Sequence, residues 1–159
     1  MIYRLDHVAF AVEDLRESSQ PWTRLLGGRF VQGMEDWSGF SFIQFGWPSG
    51  GRVELISPGT DKSGFVRRFL DRQGEGFHHM TFLSDDLRSD VLHLRELGQE
   101  VFDENYENPT WMEAFTMLRL HGRKVLVQLA QSSLDLQEQD AAWGSRPLES
   151  VLAAADRLR

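Results

Sequence analysis

Residues 5–12, LDHVAFAV, alternate: Val8, Phe10 and Val12 fall on one face, with Leu5, His7, Ala9 and Ala11 on the other. That period of two predicts a β-strand. Asp14 follows as a helix cap, and Leu15, Trp22, Leu25 and Leu26 supply the apolar side of a helix that Gly27-Gly28 ends. Pro21 interrupts or kinks that helix. Three further strands are expected at about 30–33, 40–45 and 52–56, the last two separated by the turn residues Pro48, Ser49, Gly50 and Gly51.

The same order then recurs. HHMTFLSDDL reads as a strand closed by a cap at Asp85 or Asp86. A helix through Leu87, Val91, Leu94 and Leu97 ends at Gly98, and strands follow near 100–103, 113–120 and 124–130. His7 and His79 stand 72 residues apart, as do Asp14 and Asp86. A matched histidine, cap and glycine predict two copies of one βαβββ module. Module 1–59 is joined to module 76–131 by a linker helix over 60–75, with Phe65, Val66, Phe69 and Leu70 on its apolar side. Residues 132–159 form a polar linker and an amphipathic tail helix carrying Leu148, Val151, Leu152, Ala155 and Leu158. That helix either packs on its own domain or meets a second subunit. The expected class is α+β, with residues 1–131 as a single domain.

Composition narrows the chemistry. The net charge of −7 disfavours nonspecific binding to nucleic acid or an anionic membrane. The absence of cysteine removes disulfides, thiolate metal sites and a cysteine nucleophile. With no signal-peptide pattern and no apolar run near the ~20 residues of a membrane span, the expected location is the cytoplasm.

Alternation also sorts the polar residues. The faces carrying Val8/Phe10/Val12, Val53/Leu55, Met80/Phe82 and Val125/Val127/Leu129 should lie under the helices. The opposite faces carry His7, Glu54, His79 and Gln128, each on a different strand. Two imidazoles, a carboxylate and an amide match the donors a divalent cation takes. Taken singly, each histidine also reads as a satisfied core side chain, whereas Glu54 between Val53 and Leu55 is costly to bury without a partner. His78 falls on the apolar-side parity and reads as structural.

The segments LDHVAFAVEDL, RVELISP, FLDRQGEGFHHMTF and KVLVQLAQ resemble the vicinal oxygen chelate superfamily over residues 4–131, and most nearly its methylmalonyl-CoA epimerase-like branch. The resemblance implies paired βαβββ modules in a U-shaped, partly open mixed sheet (the glyoxalase-like fold) around one divalent ion such as Zn, Ni, Co or Mn. Its ligands map to His7, Glu54, His79 and Gln128. Many catalytic members carry glutamate where this chain has Gln128, and an amide oxygen can bind a cation but cannot usefully accept a proton.

The expected activity is an isomerase or lyase of the glyoxalase I or methylmalonyl-CoA epimerase type, in which the metal polarises a carbonyl for proton abstraction and enolate formation. Glu35 or Asp36 in GMEDWSGF, Glu113 in TWMEAF, or Glu54 itself is the candidate base. Trp37, Phe40, Phe42, Trp47 and Trp111 are candidates for an aromatic cup. Arg67, Arg68, Arg72, Arg123 and Lys124 are candidates for meeting an anionic group of a small-molecule substrate. A homodimer is expected. Two other classes share such a fold: a metal-independent antibiotic-binding resistance protein, and a non-haem iron dioxygenase.

Overall fold

The computed structural model describes residues 1–48, 50–135, 138, 141 and 146–158. Ser49 of the expected hairpin turn and Leu136, Gln137, Gln139 and Asp140 of the expected polar linker lie outside the described residues. The chain is α+β with the glyoxalase-like fold, an open mixed sheet flanked by helices. Its order is β1 (Ile2–Ala11), α1 (Leu15–Gln20), β2 (Arg29–Trp37), β3 (Phe40–Gly46), β4 (Arg52–Pro58), α2 (Phe65–Gln73), β5 (Gly76–Ser84), α3 (Leu87–Glu96), β6 (Val101–Asn105), β7 (Met112–Leu120), β8 (Arg123–Gln131) and α4 (Leu148–Asp156). Among the described residues no helix is long and apolar enough to cross a membrane.

Two compact units divide the chain, and their boundaries fall inside strands. One unit comprises Met1–His7 with His79–Asp135; the other comprises Val8–His78 with Leu136–Arg159.

In the first unit the strand order is β1-β5-β8-β7-β6. β5 and β8 run parallel, with Thr81 opposite Gln128, and β8, β7 and β6 continue antiparallel. Asp86 caps α3 by accepting from Ser89 N at 3.1 Å. α3 lays Leu87 and Val91 on Val127, Leu129, Met80 and Phe82. Each such buried aliphatic side chain contributes about 1.5–3 kcal/mol.

In the second unit the order is β2-β3-β4-β1, with β1 and β4 parallel and the others antiparallel. Asp14 caps α1 by accepting from Glu17 N at 2.9 Å. At Pro21 the helix widens to a π turn over Pro21–Leu25, where Leu26 N bonds Pro21 O. A proline ring cannot donate to the α ladder, and a π turn is one way of absorbing the mismatch. α4 packs Val151, Leu152 and Ala155 against Val12, Leu15, Ile43, Phe45 and Leu55, and Arg16 pairs with Glu149 and Asp156. The tail helix is therefore part of the core of its own chain.

The strand expected to stop at Gly33 runs on to Trp37. Its ladder with β3 continues through Met34↔Phe42 and resumes at Trp37↔Phe40 after a register shift, with Asp36 at φ 52°. A bulge of this kind adds a residue without ending the pairing. Phe40 and Phe42 join Ala11, Ile56, Val66 and Leu70 under α2. Those two aromatics are core, not cup.

Candidate functional site

Three of the predicted ligands lie in the first unit. His7 on β1 and His79 on β5 are buried, with ring centroids 5.6 Å apart at 76°. His7 Nδ1 lies 2.9 Å from Asp6 Oδ2, and Asp6 Oδ1 accepts from Arg4 Nη2 at 2.6 Å. A carboxylate on Nδ1 selects the tautomer that keeps its proton there and turns the Nε2 lone pair forward, as metal-binding histidines are commonly held. Nε2 lies 2.9 Å from Thr81 Oγ1, which donates to Gln128 Oε1 at 2.6 Å. Gln128 Nε2 in turn donates to Glu113 Oε2 at 2.6 Å. The glutamate thus sets the amide's orientation, with nitrogen toward β7 and oxygen toward Thr81 and His7. One hydroxyl proton then faces two lone-pair atoms, His7 Nε2 and Gln128 Oε1. A cation on either atom relieves that competition, so the donor set fits a metal.

Glu54 lies in the second unit, on β4. Its Oε1 accepts from Gln44 Nε2 at 2.9 Å, and Gln44 Oε1 accepts from Gln32 Nε2 at 2.7 Å. All three side chains are buried. His78 packs in the same unit against Phe65 and Phe69, with ring centroids 5.6 and 4.7 Å away. Burial pushes its pKa down to about 4, an effect the Glu54 carboxylate partly offsets.

The other candidate bases have partners that lower their basicity. Glu35 is ion-paired with Arg146, whose hydrogen bond holds the carboxyl below its usual range. Asp36 accepts from the Thr60 backbone N at 2.7 Å and from the Thr60 hydroxyl, and these bonds lower its pKa too. Arg67, a candidate for an anionic substrate, is engaged by Glu13 at 2.7 and 2.8 Å and by Asp71 at 2.9 Å.

Asp6, Thr81, Gln44 and Gln32 were not among the predicted site residues. Thr81 shares the parity of His79, and Gln44 lies opposite Glu54. Parity along β5 is the sequence signal that marks Thr81, whereas Gln44 and Gln32 are marked only by the strand register. Asp6 has the wrong parity, and only the flexibility of its side chain brings it to Nδ1.

Residues 6–115 match the model of the Glyoxalase/Bleomycin resistance protein/Dioxygenase superfamily. An uncharacterized protein of Bacillus subtilis, YqjC, is 30% identical over 103 residues, covering 63% of this chain and 71% of the relative. Among solved structures, a methylmalonyl-CoA epimerase from Mycobacterium tuberculosis aligns with a TM-score of 0.70 at 24% identity, over 86% of this chain and 92% of its own. A Streptomyces coelicolor methylmalonyl-CoA epimerase variant in complex with 2-nitronate-propionyl-CoA aligns with a TM-score of 0.69 at 23% identity, over 84% and 100%. A hypothetical protein from Bacillus halodurans C-125 gives 0.71 at 20% identity, over 83% and 96%. The three structures share the fold.

Proposed function

The chain belongs to the Glyoxalase/Bleomycin resistance protein/Dioxygenase superfamily, and from that premise we propose that it is a divalent-metal-dependent isomerase or lyase acting on a carbon acid beside a carbonyl. The observation that carries this reading is the hydrogen bond from Gln128 to Glu113. It supplies a carboxylate next to an amide that cannot itself accept a proton.

His7, Glu54 and His79 each offer one ligand atom, and the Gln128 amide oxygen is the fourth. One carboxylate against a dication leaves a net charge of about +1. When bound, the ion supplies Lewis-acid polarisation of a substrate carbonyl and makes the adjacent C–H acidic.

The chain's own groups do the rest. Asp6 holds the His7 ring, and Thr81 and Glu113 together hold the Gln128 amide. The Glu113 carboxylate accepts the carbon-bound proton; its return to a neighbouring atom gives isomerisation, and delivery of a proton to the opposite face of the same carbon gives epimerisation. The epimerases that share the fold make a short acyl thioester of the methylmalonyl-CoA type the substrate class to try first.

The test is elemental analysis of the purified protein beside His79→Ala and His78→Leu. We expect near-stoichiometric Zn, Ni, Co or Mn in the wild type and in His78→Leu, and its loss in His79→Ala. A wild type that takes up none of the four ions would overturn the reading in favour of metal-independent binding.

A further inference from the structure

We infer that Gln44, oriented by Gln32, is a positioning residue for Glu54 and sets the metal affinity of the site from the neighbouring strand; this rests on the metal-site reading above. Strand pairing puts Gln32 opposite Gln44 and Gln44 opposite Glu54, so the three side chains form one row across β2, β3 and β4. The row has a direction. A carboxylate only accepts, so Gln44 must present its NH2 to Glu54 and its carbonyl to Gln32. Gln32 must then present its own NH2 to Gln44, as observed at 2.7 Å.

The direction has a cost at the far end. Gln32 is 2% exposed, and its Oε1 has no hydrogen-bond partner among the described residues. A buried carbonyl left in that state lowers stability, so the Gln32 amide gains nothing for itself by facing Gln44. The row is therefore poorly explained as a folding device. It is well explained as a device acting on Glu54. It occupies one carboxylate oxygen, fixes the plane of the group and biases it toward binding a cation through a single oxygen. Outer partners of this kind set metal affinity as well as ligand orientation.

The experiment is a Co(II) titration of the full-length metal-free protein, followed by the visible absorption of the bound ion. Wild type is compared with Gln44→Met, Gln32→Met and the double variant, with urea unfolding of each metal-free protein alongside. Gln44→Met should bind Co(II) about 10–100-fold more weakly with a changed spectrum, and Gln32→Met less weakly than that. The double variant removes the Gln32–Gln44 bond from both sides but still takes the Gln44 bond from Glu54, so before metal is added it should be at least as stable as Gln44→Met. It should still bind as poorly as Gln44→Met, which separates positioning from folding even where a single variant folds badly. Variants that match the wild-type affinity and spectrum would overturn the positioning role alone. A wild type that binds no Co(II) would overturn the metal site and the positioning role together.

Discussion

Both β4 and β8 bond an amide to a carboxylate, but in opposite order. On β4 the proposed ligand is the carboxylate, Glu54, and an amide, Gln44, stands behind it. On β8 the proposed ligand is the amide, Gln128, and a carboxylate, Glu113, stands behind it. The pair is retained while its members exchange places, and the exchange divides the work. A carboxylate fixed by an amide relay is suited to holding charge. One set a residue further out, beyond an amide ligand, is suited to taking a proton.

The largest expected effect follows from that division. Glu113→Gln should slow solvent-deuterium exchange at the acidic carbon of a methylmalonyl-type thioester by about 10²–10⁴-fold while metal content stays unchanged. An unchanged exchange rate would break the contrast, because both carboxylates would then only hold.

The residues preceding the two histidines extend the comparison. Asp6 hydrogen-bonds the His7 ring, whereas His78 is packed among aromatic rings with a pKa of about 4. Its folded pKa lies below the unfolded value of about 6.5, so the unfolded chain takes up a proton first as the pH falls. Stability is then lost between about pH 6.5 and 4, by about 3 kcal/mol in all, and does not change further below that window. Urea unfolding of the metal-free protein at pH 7 and 4.5 should show this loss in wild type and a much smaller one in His78→Leu. Equal losses would mean that His78 is not held neutral.

A smaller effect comes from exchanging the β8 pair. Gln128→Glu alone sets two carboxylates against each other and should lower stability by about 1–3 kcal/mol. Adding Glu113→Gln recreates the β4 order and should recover most of that loss in chemical denaturation. No recovery would mean that the two side chains are not energetically coupled.

Alternation along the strands separates the proposed ligands from the core because β1, β5 and β8 each carry an apolar stripe on one side and these polar residues on the other. It does not reveal the glutamine row. β3 is buried on both faces, with Ser41, Ile43, Gln44 and Phe45 all enclosed, and a strand covered on two sides loses the polar–apolar rhythm. β2 reads short in the sequence for a different reason. Its bulge at Asp36 and the following Ser38 and Gly39 read in sequence as an early turn, and only pairing with β3 carries the strand through. The caps at Asp14 and Asp86 were legible because capping is local. Contacts such as Arg146 with Glu35 join residues over a hundred positions apart, and no local pattern announces them.

Neither compact unit is a continuous piece of chain, and this sets an order of events during synthesis. During synthesis the segment carrying His7 emerges 72 residues ahead of His79, where the residues that complete its unit begin. At about 5–20 residues per second that is a wait of roughly 4–14 s. Over that interval Ile2, Tyr3 and Leu5 lack their neighbours on β5. A cut between the repeats would strand the first seven residues with the wrong fragment, so the halves are poor candidates for separate expression.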